Sequence, residues 1–131
     1  MSFKAIGETT GGAFSFMERE LPVSNRRPQP HRHEGPEGFY VLQGLIEFVV
    51  ADERRTGGPG FWALVPGGNF HTFGNAGDSP ARILIIHAPA ADDYFIALEA
   101  LWGGDEPPSP EAERELMRRH GLEPTDSSAD G

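Results

Sequence analysis

The sequence contains no cysteine. That excludes a disulfide frame, a thiolate metal site and a cysteine nucleophile. It contains no apolar run long enough to span a bilayer, and no basic, apolar leader with a small-residue cleavage site opens it. The expectation is a cytoplasmic protein with no membrane partner. A surplus of basic residues is missing too: formal net charge is −9. Residues 99–131 hold nine acidic and three basic residues, and residues 1–98 hold eleven and eight, so the acidity is concentrated in the C-terminal segment. Without a basic face, nucleic acid is not an expected partner. No internal repeat stands out.

What the sequence does have is punctuation. Gly (17) and Pro (12) together supply 29 of 131 residues, in a chain long enough for one domain with a workable core. Short alternating apolar runs between Gly and Pro favour many short strands over a helical bundle. Residues 1–12 read as a lead-in. Ala13–Leu21 reads as a strand with Phe14 and Phe16 on one face and Met17, Arg19 and Leu21 on the other. Further strands are expected at His31–His33, Gly38–Leu42, Leu45–Val50, Arg54–Thr56, Phe61–Val65, Asn69–Phe73 and Ala81–Ala88. Gln43-Gly44 is read as the tight turn of a hairpin joining the second and third of these.

The period changes after Asp92. Tyr94, Phe95, Leu98, Leu101 and Trp102 fall on one face of a helix that ends at Gly103-Gly104, with Asp92 as N-cap. That face is expected to cover a barrel edge or a dimer contact. Ser109-Pro110-Glu111 predicts a second helix, with Ser109 as N-cap and Pro110 in its first turn, running to His120. The expected organisation is a β core over 1–90, a helical extension of the same domain over 91–122, and a disordered tail over 123–131.

The chemistry gathers in His31-Arg32-His33-Glu34-Gly35-Pro36-Glu37 and in His71. Histidines two apart on a strand share a face. With Glu37 and a third histidine from another strand, four donors could converge on one ion. Three imidazoles and a carboxylate suit one divalent transition metal: Fe, Ni, Mn, Co or Zn. Glu34 is read as a solvated turn acid. His87 is read as a strand-end or satisfied core histidine rather than a proton shuttle, and His120 as a helix-end residue. Arg26, Arg27 and Arg32 are read as solvated loop residues.

These residues sit in two spaced motifs. His31-x-His33, three residues, Glu37, six residues, Gly44 resembles the first cupin motif. Gly60, five residues, Pro66-x-Gly68, two residues, His71, three residues, Asn75 resembles the second. Fifteen residues separate Gly44 from Gly60, a spacing similar to that of small microbial cupins. Asn25 stands where the first motif usually has glycine.

The resemblance covers residues 13–88 and implies an all-β double-stranded β-helix, the cupin jelly roll, followed by one or two α-helices. It implies a metal held by His31, His33, Glu37 and His71, with Gly44, Gly60, Gly68 and Pro66 shaping turns. The run Glu37–Gly44, with Pro80-Ala81-Arg82 and the helices, resembles bacterial quercetinase-like cupins. That implies a dioxygenase, often dimeric, acting on a small aromatic or enolic, flavonol-like substrate. Glu37 would be a ligand, with the alternative that it swings off the metal and acts as catalytic base toward a bound substrate. The alternatives are a metal-assisted isomerase, cyclase or lyase, and a non-catalytic module binding metal or a small ligand. By alternation, Phe39 shares the face of Glu37 and Phe73 that of His71, which makes them the expected substrate-pocket residues.

Overall fold

The computed structural model describes residues 1–24 and 29–125. Asn25, Arg26 and Arg27, and residues 126–131 of the expected tail, lie outside the described residues. Among the described residues, ten strands are arranged in two five-stranded antiparallel sheets. The first contains, in spatial order, β1 (Ser2–Ala5), β2 (Ser15–Leu21), β9 (Ala81–His87), β4 (Glu37–Gln43) and β7 (Trp62–Val65). The second contains β10 (Glu123–Pro124), β3 (His31–Arg32), β8 (His71–Asn75), β5 (Ile46–Val50) and β6 (Glu53–Gly57). A one-turn helix α1 (Gly7–Thr10) follows β1, and α2 (Asp92–Trp102) and α3 (Pro110–Arg119) follow the last long strand. Among the described residues, no helix is long and apolar enough to cross a membrane.

Alternation puts the inward side chains of both sheets into one core. Met17, Phe39, Val41, Ile83 and Ile85 come from the first sheet, and Ile46, Phe48 and Phe73 from the second. Phe39 joins the layers, its ring centre 5.3 Å from that of Phe48 and 5.0 Å from that of Phe73. The predicted helix face closes one side of this core. Tyr94 and Phe95 are buried, Leu98 and Leu101 pack partly against the core, and Trp102 stays exposed.

Four sequence-based expectations are corrected here. β4 and β5 do not form a hairpin: β4 pairs with β9 and β7, and β5 with β8 and β6. At Gly44 the chain passes from one sheet to the other, at φ +81° and so close to Ala81 that an added Cβ would stand 2.8 Å from the Ala81 Cβ. The crossing lets the apolar faces of both strands be buried against each other, as Phe39 and Phe48 are; a hairpin would set them side by side in one layer. Residues 1–12 carry β1 and α1 rather than an irregular lead-in, and α1 is tied down where the Gly7 N–H donates to Asp92 Oδ1 at 2.8 Å. Asp92 therefore lies inside the first turn of α2, and Ala91 is the N-cap. Finally, Glu123–Pro124 pairs with β3 as β10. Arg32 holds it there, donating to both Glu123 carboxylate oxygens at 3.0 and 3.1 Å. Ser109 caps α3 as expected, accepting from the Ala112 N–H at 3.1 Å, with Pro110 in the first turn.

Candidate metal centre

Strand pairing gathers the four donors. His31 on β3 lies opposite His71 on β8, and Glu37 on β4 points inward two residues before Phe39. The turn between β7 and β8 packs against the loop after β3, where the Gly68 N–H donates to the His33 carbonyl at 2.8 Å. A Cβ at Gly67 would come 1.8 Å from the Glu34 carbonyl oxygen, so only glycine allows that approach. The donor atoms of His31, His33, Glu37 and His71 all lie within 4.8 Å of one another. His31, Glu37 and His71 are buried, and His33 is the more open member.

Each of the three imidazoles is oriented by its own local backbone. His31 Nδ1 is 2.8 Å from the Gln29 carbonyl, His33 Nδ1 2.8 Å from that of Gly35, and His71 Nδ1 2.9 Å from that of Asn69. A carbonyl oxygen can only accept, so each Nδ1 carries a hydrogen. In a neutral ring the Nε2 lone pair is then left for a metal, the arrangement by which outer hydrogen bonds fix a ligating tautomer. His33 Nε2 and His71 Nε2 stand 3.0 and 2.8 Å from Glu37 Oε1. A lone pair facing a carboxylate oxygen is repulsive, so this contact needs a proton or a cation between the two atoms. The donor set thus fits a divalent metal in chemistry and in tautomer.

Glu37 has a third partner. His87 Nε2 lies 2.7 Å from its other oxygen, Oε2. As expected, His87 is a buried strand-end histidine with a satisfied imidazole; what the sequence did not show is that its partner is Glu37, directly opposite in the β4–β9 register. Alternation along Ala81, Ile83, Ile85 and His87 carries the signal, since all four share the inward face. Burial acts to raise the Glu37 pKa, but the charge on His87 and hydrogen bonds from His33, His71 and His87 overcome it and hold the carboxyl well below its usual range. Burial, reinforced by the neighbouring His71, pushes the His31 pKa down to about 4. Burial opposes protonation of His71 as well, but its hydrogen bond and attraction to Glu37 leave its pKa raised.

These shifts predict an acid-labile metal-free protein. Unfolded His31 takes a proton near 6.5 and the folded residue near 4, so the unfolded state gains protons first and native stability falls across that window. The difference corresponds to about 3 kcal/mol. The depressed Glu37 adds a further loss once pH drops below its ordinary 4.5. The His71 contribution is complete below 6.5 and is lost only as pH rises through its raised pKa, so it does not mask the effect. Thermal unfolding of chelator-treated protein between pH 7 and 4 should show a falling midpoint, with a shallower fall in His31→Phe. Parallel slopes for the two proteins would refute the assignment to His31.

The centre meets a cavity of about 390 Å³ whose wall includes His33, His87, Pro89, Tyr94, Phe95 and Leu122. His120 lines the same cavity from the end of α3, its Nδ1 donating to the Leu116 carbonyl at 3.0 Å. Glu34 is exposed, as expected of a turn acid. Arg32 is a strand residue turned away to Glu123, with its guanidinium carbon 4.7 Å from the centre of the Phe70 ring. Phe39 is 1% exposed, among core side chains. Phe73 lines a second cavity, separate from the four donors. Asn75 is spent on structure: its amide donates to the Leu21 and Ser79 carbonyls, and its oxygen accepts from the Gly77 N–H.

Comparison with known proteins agrees with this architecture. The sequence model described as "Cupin domain" matches residues 17–87, more than half of the chain. The protein is a cupin. Among solved structures, this cupin is similar to KdgF from Halomonas sp., at 22% identity over 70% of this chain and 79% of that one, with a TM-score of 0.61. It is similar to the Cnp3 cupin domain of Schizosaccharomyces pombe, at 23% identity over 65% of this chain and 62% of that one, TM-score 0.53. Both likenesses are of fold. A third similarity is to the polyketide cyclase RemF from Streptomyces resistomycificus, at 29% identity over 58% of this chain and 54% of that one, TM-score 0.51. This cupin thus spans less than two thirds of the Cnp3 domain and of RemF. No curated protein matches it.

Proposed function

We propose that this cupin is a metal-dependent enzyme that moves a proton on a small enolisable substrate, in the class of cyclases, isomerases and lyases. The observation that carries the reading is the Glu37–His87 pair, 2.7 Å apart, at the edge of a four-donor set and in the wall of a cavity. A divalent metal held by His31, His33, Glu37 and His71 would supply a Lewis acid for a carbonyl or enol oxygen. The protein's own part is proton handling. Glu37 accepts a hydrogen bond from His87 Nε2 at Oε2, which leaves Oε1 free to ligate. The His87 ring reaches the cavity wall that buried Glu37 does not, which makes it the better proton carrier to a bound substrate. Tyr94, Phe95 and Leu122 give that cavity an apolar lining suited to an organic body. The likeness to the polyketide cyclase RemF, at 29% identity, supports the same class.

The test is exchange of the α-hydrogen of an enolisable β-diketone in deuterated water, followed by NMR with metal-loaded protein. His87→Gln keeps a donor toward Glu37, so it should retain one metal and lose about a hundredfold in exchange rate, the low end for general acid–base catalysis. Full exchange in His87→Gln would remove the proton role. Run in parallel on an oxygen electrode, substrate-dependent oxygen uptake would return the assignment to the dioxygenase that the sequence resemblance implied.

A further inference from the structure

A second cavity, of about 560 Å³, lies between β2, β8 and the two long helices, and none of the four donors lines it. Its apolar wall is Leu21, Phe73, Leu98, Trp102 and Met117. Into it reaches Arg19. Met17 and Leu21 on either side are buried, so alternation places Arg19 on the inward face of β2, between core positions. Its guanidinium carbon stands 5.8 Å from the Phe73 ring centre. Among the described residues this guanidinium has no ion pair and no hydrogen bond. A charge in such a setting is costly without a partner, and burial accordingly lowers the Arg19 pKa.

The neighbouring polar groups narrow what the partner is. Glu20 and Glu99 line the same cavity but are exposed, and Glu99 is engaged by the Met1 amino group at 3.3 Å. Glu113 is buried and already partnered. Tyr94 is buried, and its hydroxyl has no hydrogen-bond partner among the described residues. Arg19 and Tyr94 are therefore the two uncommitted donors, among the described residues, in a chamber whose wall is mostly apolar. Nearby carboxylates disfavour a dianion such as a phosphate monoester, whereas the planar guanidinium fork matches a single carboxylate.

We propose that this cavity is a binding site for a small organic monocarboxylate with an apolar or aromatic body, its charge taken by Arg19 and its second oxygen by the Tyr94 hydroxyl. The site stands on the cavity alone and does not depend on the function assigned to the metal centre.

The experiment uses the full chain, stripped of metal with chelator, and three probes: phenylacetate, phenylacetamide and phenyl phosphate. Binding is read by titration calorimetry and by the fluorescence of Trp102, with Trp62→Phe removing the other tryptophan. Phenylacetate should bind one to one. Phenylacetamide and phenyl phosphate should each bind at least tenfold more weakly. Arg19→Met should lower phenylacetate affinity at least tenfold, as loss of a charge-assisted hydrogen bond does, and leave phenylacetamide unchanged. Tyr94→Phe should cost a few-fold. Because Arg19→Met removes an unpaired charge, its unfolding midpoint should match or exceed that of the parent, so a lost signal is not lost fold. Equal affinity for acid and amide overturns the proposal using the parent protein alone. So do tighter binding of the phosphate, unchanged phenylacetate binding in Arg19→Met, and binding seen only after metal is restored, which would place the carboxylate on the metal.

Discussion

The His71→Ala variant is expected to lose about a hundredfold in affinity for a divalent metal. His71 is buried on β8, opposite His31, with Nε2 2.8 Å from Glu37 Oε1 and Nδ1 fixed by the Asn69 carbonyl. A four-ligand protein site holds its metal with roughly 10–16 kcal/mol, so one ligand carries about 3 kcal/mol, or about a hundredfold. Competition with a chromogenic chelator measures this directly. Glu34→Ala is the control: Glu34 is one residue from His33 in sequence but exposed, so its affinity should equal the parent's. Parent-like metal binding by His71→Ala would refute the four-donor centre, and reduced binding by Glu34→Ala would mean that the carboxylate ligand had been misassigned. Thermal unfolding of the metal-free proteins separates lost ligation from lost fold.

The second large effect concerns Phe39, which alternation alone made a pocket residue. It is 1% exposed and lies between Phe48 and Phe73, with ring centres at 5.3 and 5.0 Å. Phe39→Ala should therefore cost about 3–5 kcal/mol through lost burial and the cavity left behind. For a chain of this size the unfolding midpoint should drop by roughly 10–20 °C. Metal stoichiometry should stay at one, because the three imidazoles keep their own backbone anchors. A variant with a parent-like midpoint would place Phe39 in a ligand pocket instead. The sequence put Phe39 and Glu37 on one face correctly, but it did not show that this face meets a second sheet at Phe39 and a cluster of imidazoles at Glu37.

Much of the centre is legible without coordinates because its geometry is local. His31 and His33 are two apart, and each of the three clustered histidines takes its Nδ1 acceptor from a carbonyl two residues away. The cap of α3 is local too, since Ser109 reaches only to Ala112. Strand positions follow from alternation and from turns such as Gly44, Gly60 and Gly68, all of which have positive φ.

What the sequence by itself determined, then, is which four residues could form a donor cluster, roughly where the strands around them lie, and which face a strand residue takes. The tertiary structure alone decided which faces meet. Alternation assigns a residue to one of two faces but says nothing about which strand lies beside it; that is set by register between segments far apart in the chain. His87 joins Glu37 only because β9 pairs with β4, fifty residues apart in sequence numbering. β4 and β5 part company at Gly44 because each needs the other's layer to bury its apolar face. Arg19, a charge on an inward face, gains its cavity and its Phe73 neighbour only when β8 and the two helices close over β2.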